Sequence, residues 1–180
     1  MKHPFRWVAL AFGAGVCVLA VVLALTVSTD PQAEANRSRL VGKRVPAFSV
    51  EGLDGVPITS ESLVGKTVLV NFWNSWCIPC EQEHGALQSF YEAHRDDPNV
   101  VLLGIVREDT RSRVRREVQR KQIDWPVAFD PGAKAALDFG TRGQPETYAI
   151  SPDGVVVASQ FGPANVKVFD QMVAYAQGTA

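Results

Sequence analysis

Two apolar runs that do not alternate, Thr67 to Trp73 and Val100 to Val106, constrain the fold more than any other feature of the chain. A strand with one wet face alternates polar and apolar residues. A strand covered on both faces does not. Both runs therefore read as buried strands. The segments around them supply the cover. Cys77 to His94 reads as a helix with Leu87, Phe90 and Tyr91 on one face, ended by Asp96-Asp97-Pro98. Thr110 to Lys121 reads as a polar, arginine-rich helix, and Val127 to Phe129 as a short strand. Ala133 to Phe139 is a short helix stopped by Gly140. Thr147 to Ile150 and Val155 to Phe161 are strands around the turn Ser151-Pro152-Asp153-Gly154. Asn165 to Gln177 is the last helix, with Asn165 as its cap. Upstream, Phe48 to Val50 and Val56 to Ile58 flank Gly52 to Gly55 as a small hairpin. Ser60 to Val64 forms one helical turn capped by Ser60. The order predicts an α/β domain around a central mixed sheet.

A third and longer apolar run lies ahead of this domain. Trp7 to Val27 carries no charge, and as a helix it spans about 30 Å, the thickness of a bilayer core. Lys2 and Arg6 precede it, and Asp30 and Glu34 follow. That bias places the N-terminus in the cytoplasm and the remainder outside. The expected organisation is a cytoplasmic N-terminus over 1–6, a transmembrane anchor over 7–27, a linker over 28–39 and a folded domain over 40–180. A cleaved signal peptide is the competing reading, with Ala33-Glu34-Ala35 as the cleavage site. The apolar run is longer than a usual signal core, which favours the anchor. Both readings export the domain to the extracytoplasmic side of the cell membrane. A formal net charge of −1 gives no sign of nucleic-acid binding.

The chain has three cysteines. Cys17 falls inside the apolar run and reads as a small buried hydrophobe. Cys77 and Cys80 stand three apart, directly after a strand and at the start of a helix. A helix N-terminus offers unpaired N–H groups and a positive dipole end, which stabilise a thiolate. Cys77 is the expected exposed nucleophile, and Cys80, one turn further in, the resolving thiol. Pro79 falls in the first turn, where its missing N–H costs nothing. A purely structural disulfide is one competing reading, but so short a loop constrains the unfolded chain little. A metal site is another. The pair supplies two ligands and His84 a third, where structural zinc takes four. Haem attachment needs a histidine after the second cysteine, and Glu81 stands there. Nothing signals a bound organic cofactor.

Three segments together carry a resemblance. They are Phe72-Trp73-Asn74-Ser75-Trp76-Cys77, Glu81-Gln82-Glu83-His84 after Cys80, and Gly143-Gln144-Pro145-Glu146-Thr147-Tyr148. Over about residues 40–175 the chain resembles the thioredoxin superfamily, and within it the membrane-anchored TlpA/ResA/CcmG (DsbE) group. The resemblance implies a thioredoxin-like fold with an N-terminal β-hairpin extension. It implies that Pro145 is cis and faces the cysteines, leaving Gln144 backbone groups for an extended substrate. Trp76 joins Gln144 as a docking residue.

Cys80, Glu83, Leu87 and Phe90 follow steps of three, four and three, so they share one helix face. Glu83 therefore lies in the apolar stripe, where a carboxylate tends to stay protonated or to have a task. In the resembling group the matching acid tunes the cysteines. Here Glu83 is expected to exchange protons with Cys80. A solvated acid in an early helix turn is the competing reading. His84 is assigned no role, Trp73 is read as core, and the arginines at 107, 111, 113, 115, 116 and 120 as a solvated face.

The group implies a protein-disulfide reductase for exported proteins, with apocytochrome c before haem attachment as leading target. Its implied electron donor is a membrane thiol transporter of the CcdA/DsbD type. A disulfide-installing oxidase, a metallochaperone or redox sensor, and a peroxidase are the alternatives, the last without a matching motif. Gln144 and Ile105-Val106-Arg107-Glu108 depart from the group's usual residues, which bears on substrate identity.

Overall fold

The computed structural model describes residues 12–19, 21–22 and 38–179. The chain divides into two compact units, Met1–Asn36 and Arg37–Ala180. In the first, residues 12–19, 21 and 22 are helical, and Cys17 is free and exposed. The expected N-terminus over 1–6, half of the 7–27 anchor and the linker before Ser38 lie outside the described residues. Among the described residues no helix is long and apolar enough to cross a membrane.

The second unit is built on seven strands: β1 (Ser49–Gly52), β2 (Pro57–Thr59), β3 (Thr67–Trp73), β4 (Val100–Val106), β5 (Val127–Phe129), β6 (Glu146–Ile150) and β7 (Val156–Phe161). The helices are α1 (Ile78–His94), α2 (Arg111–Lys121), α3 (Lys134–Phe139) and α4 (Val166–Gln177). The strands form one sheet in the order β2-β1-β5-β4-β3-β6-β7. β3, β4 and β5 run parallel, and the other pairs are antiparallel. The hairpin β1–β2 extends the sheet beyond β5.

The non-alternating runs are central strands, and every residue of β3 is buried. Successive side chains point to opposite faces. Leu69 and Trp73 face a core built with Leu87 and Phe90 of α1, Val114 of α2 and Phe169 and Met172 of α4. Val68, Val70 and Phe72 face a second core with Ala135, Ala136 and Phe139 of α3. Phe72, Phe139 and Tyr148 meet edge to face there, with ring centroids 5.1 to 6.0 Å apart. Each such ring or aliphatic side chain contributes roughly 1.5–3 kcal/mol by leaving water.

The helix starts at Cys77 and Thr110 depart from expectation by one residue, because each is a cap, as Asn165 was expected to be and is. Cys77, Thr110 and Asn165 are N-caps in extended conformation, and each side chain accepts an N–H from three residues on. A cap already accepts hydrogen bonds from the helix but is not helical itself. Ser60 does not cap its turn. Its backbone is helical, and its hydroxyl instead accepts the N–H of Phe48 at 3.3 Å, tying the 3₁₀ turn Glu61–Leu63 to the hairpin.

Gly104 on β4 admits two indoles. A Cβ there would lie 2.9 Å from Trp73 Nε1 and 3.4 Å from Trp125 Nε1. Gly104→Ala is expected to destabilise the chain by about 1–3 kcal/mol, because Trp73 is confined by the core around it. A urea midpoint equal to that of the parent would contradict this.

Candidate active site

β3 delivers its chain to the carboxyl edge of the sheet, where Asn74, Ser75 and Trp76 lead into α1. Neighbouring backbone straps this short loop. Ser75 N–H donates to Asp109 Oδ2 at 2.8 Å, and Glu108 N–H donates to Asn74 Oδ1 at 3.0 Å. The Trp76 indole donates to the Glu108 carbonyl at 3.1 Å. The β4–α2 loop therefore holds the residues that precede Cys77.

Cys77 and Cys80 are joined in a disulfide, with Cα atoms 5.2 Å apart. Cys80 N–H donates to the Cys77 sulfur at 3.1 Å. Ile78 and Pro79 occupy the first two helical positions, where no intrahelical N–H bond is lost. The expectation that Cys77 is exposed needs correction. Each cysteine is 7% exposed, because the bonded pair packs in the core cluster that holds Trp73 and Leu87. The side chains at the surface are Trp76, 53% exposed, and Ile78, 75% exposed.

Glu83 is 1% exposed, on the same helix face as Cys80, Leu87 and Phe90. Its Oε1 accepts the Asn71 amide at 2.8 Å, and its Oε2 accepts the Ala164 N–H at 3.4 Å. Asn71 also donates to Thr147 Oγ1 at 2.9 Å. Burial outweighs these two donors and raises the carboxyl pKa from 4.5 to about 7. At neutral pH Glu83 is thus poised to gain or lose a proton.

A cavity of about 20 Å³ is lined by Cys77, Cys80, Glu83, His84, Asn74, Trp73 and Lys121, among others. That volume admits one water. Two donors of the lining, Trp73 Nε1 and Asn74 Nδ2, have no partner in the structure, so a water would find hydrogen bonds there. His84 is half-buried and packs its ring 5.6 Å from that of Trp125. Burial, helped by the Lys121 charge, lowers its imidazole pKa. Lys121 pairs with Glu81 and Glu117, which docks the end of α2 on the first turn of α1.

Pro145 and Gln144 reach the same edge through β6, whose Glu146 pairs with Phe72 near the end of β3. The Gln144–Pro145 peptide is cis. Pro145 is buried and Gln144 half-buried. Glu146, fully buried, accepts the Arg142 N–H at 2.8 Å and its guanidinium at 3.2 Å. Arg142 also lies over the Phe161 ring at 4.6 Å. These contacts close the loop that presents Gln144. Sequence reasoning passed over this clamp and over Asn71. The signal for Asn71 was an amide inside an otherwise apolar strand.

Residues 41–159 of the chain match the AhpC/TSA family. The chain belongs to that family. Among its relatives is the thiol:disulfide interchange protein DsbE of Allochromatium vinosum. It is 32% identical over 158 residues, covering 86% of this chain and 84% of the relative. The thiol-disulfide oxidoreductase ResA of Bacillus thuringiensis is 33% identical over 122 residues, covering 68% of this chain and 70% of ResA. StoA from Bacillus subtilis shares the fold with a TM-score of 0.62 at 22% identity, over 71% of this chain and 96% of StoA. The thioredoxin-like architecture and the likeness to the DsbE and ResA group both hold for this AhpC/TSA member. Among the described residues, no group of three or more His, Cys, Asp and Glu could hold a metal ion.

Proposed function

We propose that this AhpC/TSA-family chain is a thiol–disulfide oxidoreductase that reduces disulfides of exported proteins. The observation that carries this reading is the Cys77–Cys80 disulfide at the N-terminus of α1, lining one small cavity with a protonatable Glu83. In the reducing cycle the Cys77 thiolate attacks a target disulfide. One target sulfur bonds to Cys77, and the other leaves as a thiolate. The Cys80 thiol gives its proton to the Glu83 carboxylate and attacks the Cys77 sulfur. The Cys77–Cys80 disulfide forms, and the second target sulfur leaves. Two electrons have passed to the target. Trp76 and Gln144, with Pro145, provide the surface on which an extended target chain lies.

The uncharged run Trp7 to Val27, with Lys2 and Arg6 before it, supports a membrane anchor over 7–27. A tether over 28–39 and a folded domain over 40–180 follow on the extracytoplasmic side. The likeness to DsbE and ResA supports apocytochrome c as a target and cytochrome c maturation as the setting. The donor that recharges the disulfide is then a membrane thiol transporter of the CcdA/DsbD type.

The reduction potential of the Cys77–Cys80 pair tests the direction of electron flow. Equilibrated against defined thiol–disulfide buffers, the pair is expected at or below about −220 mV, in the range of glutaredoxins and thioredoxin. A value near about −120 mV would overturn the reductase reading in favour of an oxidase that installs disulfides.

A further inference from the structure

Helix α2 and the loop before it carry a charge that the redox chemistry leaves unused. Residues 107–121 hold seven Arg and Lys against three Asp and Glu, in a chain whose formal net charge is −1. The fold neutralises only part of that surplus. Arg111 pairs with Glu51, Arg115 donates to the Leu53 carbonyl, and Arg120 and Lys121 pair with Glu81 and Glu117. Arg107, Arg113 and Arg116 have no carboxylate partner among the described residues. Arg107 is half-buried, and its Nε is buried without an acceptor. A buried guanidinium N–H left unpaired is rare enough to need a reason.

One of the arginines of α2 reaches the first turn of α1, which carries the disulfide. Residues three and four apart on a helix are neighbours, so Arg113, Arg116 and Arg120 form one row. Arg120 ends the row on Glu81, the residue after Cys80. At the other end of α2, Arg107 stands in an open hollow of about 580 Å³. Glu108, in the wall of that hollow, holds the Trp76 indole. Asp109 and Asp130 share the wall, but their oxygens already accept backbone N–H groups of Ser75, Thr110, Ala135 and Ala136. The side chains of that wall with unspent hydrogen-bonding capacity are Arg107 and, at the exposed rim, Glu108.

We infer that this arginine strip is the docking surface for an acidic segment of the disulfide-bearing target protein. The inference rests on the reductase reading and adds the chemistry of the target: Asp and Glu side chains beside its disulfide. Opposite charge steers such a target to the strip and raises its encounter rate. A carboxylate reaching Arg107 makes charge-assisted hydrogen bonds that its guanidinium lacks in the free protein. A lipid surface suits the strip poorly. The strip ends at Arg120 on Glu81, the residue after Cys80, so lipid seated along it would crowd the approach to the disulfide that the target must reach.

The test uses the reduced full chain and three synthetic peptides with the same internal disulfide. One peptide has glutamate flanks, one glutamine flanks and one lysine flanks. At about 20 mM salt the glutamate peptide is expected to be reduced at least about tenfold faster than the lysine peptide, with the gap closing near about 500 mM. The double variant R113E/R116E, altering two exposed side chains without partners, is expected to reverse that order. Equal rates for the glutamate and lysine peptides in the parent overturn the inference. So does a double variant that slows all three peptides equally, because that marks a structural role. If anionic lipid vesicles slow the parent but not the variant, and the peptide order is the same in both, the strip belongs to lipid and the inference falls. Reduction of no peptide at all removes the reductase reading and the inference together. Reduction of the glutamine peptide without any charge preference removes the inference alone.

Discussion

Cys77→Ser is expected to lower disulfide reduction by at least about 10³-fold, the order that follows removal of a covalent nucleophile. Cys80→Ser is expected to stop the cycle one step later, with the target held on Cys77 as a mixed disulfide. The two cysteines are equally buried as residues in the oxidised state, so residue exposure does not separate their roles. Their surroundings do. Cys77 is the N-cap, its sulfur accepts the Cys80 N–H, and the exposed Trp76 and Ile78 stand on either side of it. An anion at that position is stabilised by the helix terminus, and a serine hydroxyl there stays protonated at neutral pH. Cys80 shares its helix face with Glu83 and Leu87, turned toward the core. Mass spectrometry of each variant after exposure to a disulfide peptide distinguishes them. A stable adduct on Cys77→Ser and none on Cys80→Ser would exchange the two roles.

Glu83→Gln is expected to remove a pH dependence of stability from the oxidised chain. The folded carboxyl has a pKa of about 7, against 4.5 for an ordinary glutamate, and burial is the main cause. Between those values the folded state holds a proton that the unfolded chain releases. The contribution of Glu83 to stability is therefore fully present below about pH 4.5, falls as pH rises through the window, and levels above about pH 7. The full difference is about 3 kcal/mol. Glutamine carries no charge at any pH, so the fall disappears and the variant is the more stable protein at pH 8. Part of that gain is offset where the new amide meets the Ala164 N–H in place of an acceptor. Urea unfolding of parent and variant from pH 4 to pH 8, with the disulfide intact, measures both curves. A difference between parent and variant that stays level or moves in the parent's favour as pH rises across the window would refute the assignment. After reduction, Glu83→Gln is also expected to shift the titration of the Cys80 thiol. Unchanged titration of both cysteines would remove Glu83 from the proton transfer.

The central strands were legible because burial on both faces leaves a mark in every residue. Thr67–Trp73, Val100–Val106 and Val127–Phe129 begin and end in the structure where the apolar runs do. Helix register was equally legible. The spacing of Cys80, Glu83, Leu87 and Phe90 placed the carboxylate in the apolar stripe, and all four are buried. The helix starts at Cys77 and Thr110 moved by one residue because the cap is set by a side-chain hydrogen bond, which periodicity does not see. The cap of the turn at Ser60 failed for a similar reason: Phe48, the residue before β1, claimed the hydroxyl.

By itself the sequence determined the secondary-structure order, the placing of two cysteines at a strand–helix junction and the face of α1 on which Glu83 lies. Each follows from short-range spacing, which the backbone imposes wherever the segment folds. Only the tertiary structure decided what surrounds those groups. Asn71, twelve residues before Glu83, and Ala164, eighty-one after it, both reach the carboxylate. The Arg142–Glu146 clamp closes the Gln144 loop, and α2 is tied to the first turn of α1 through Arg120 and Glu81. The proton affinity of Glu83 depends on how much water these elements exclude together, and no single segment encodes that.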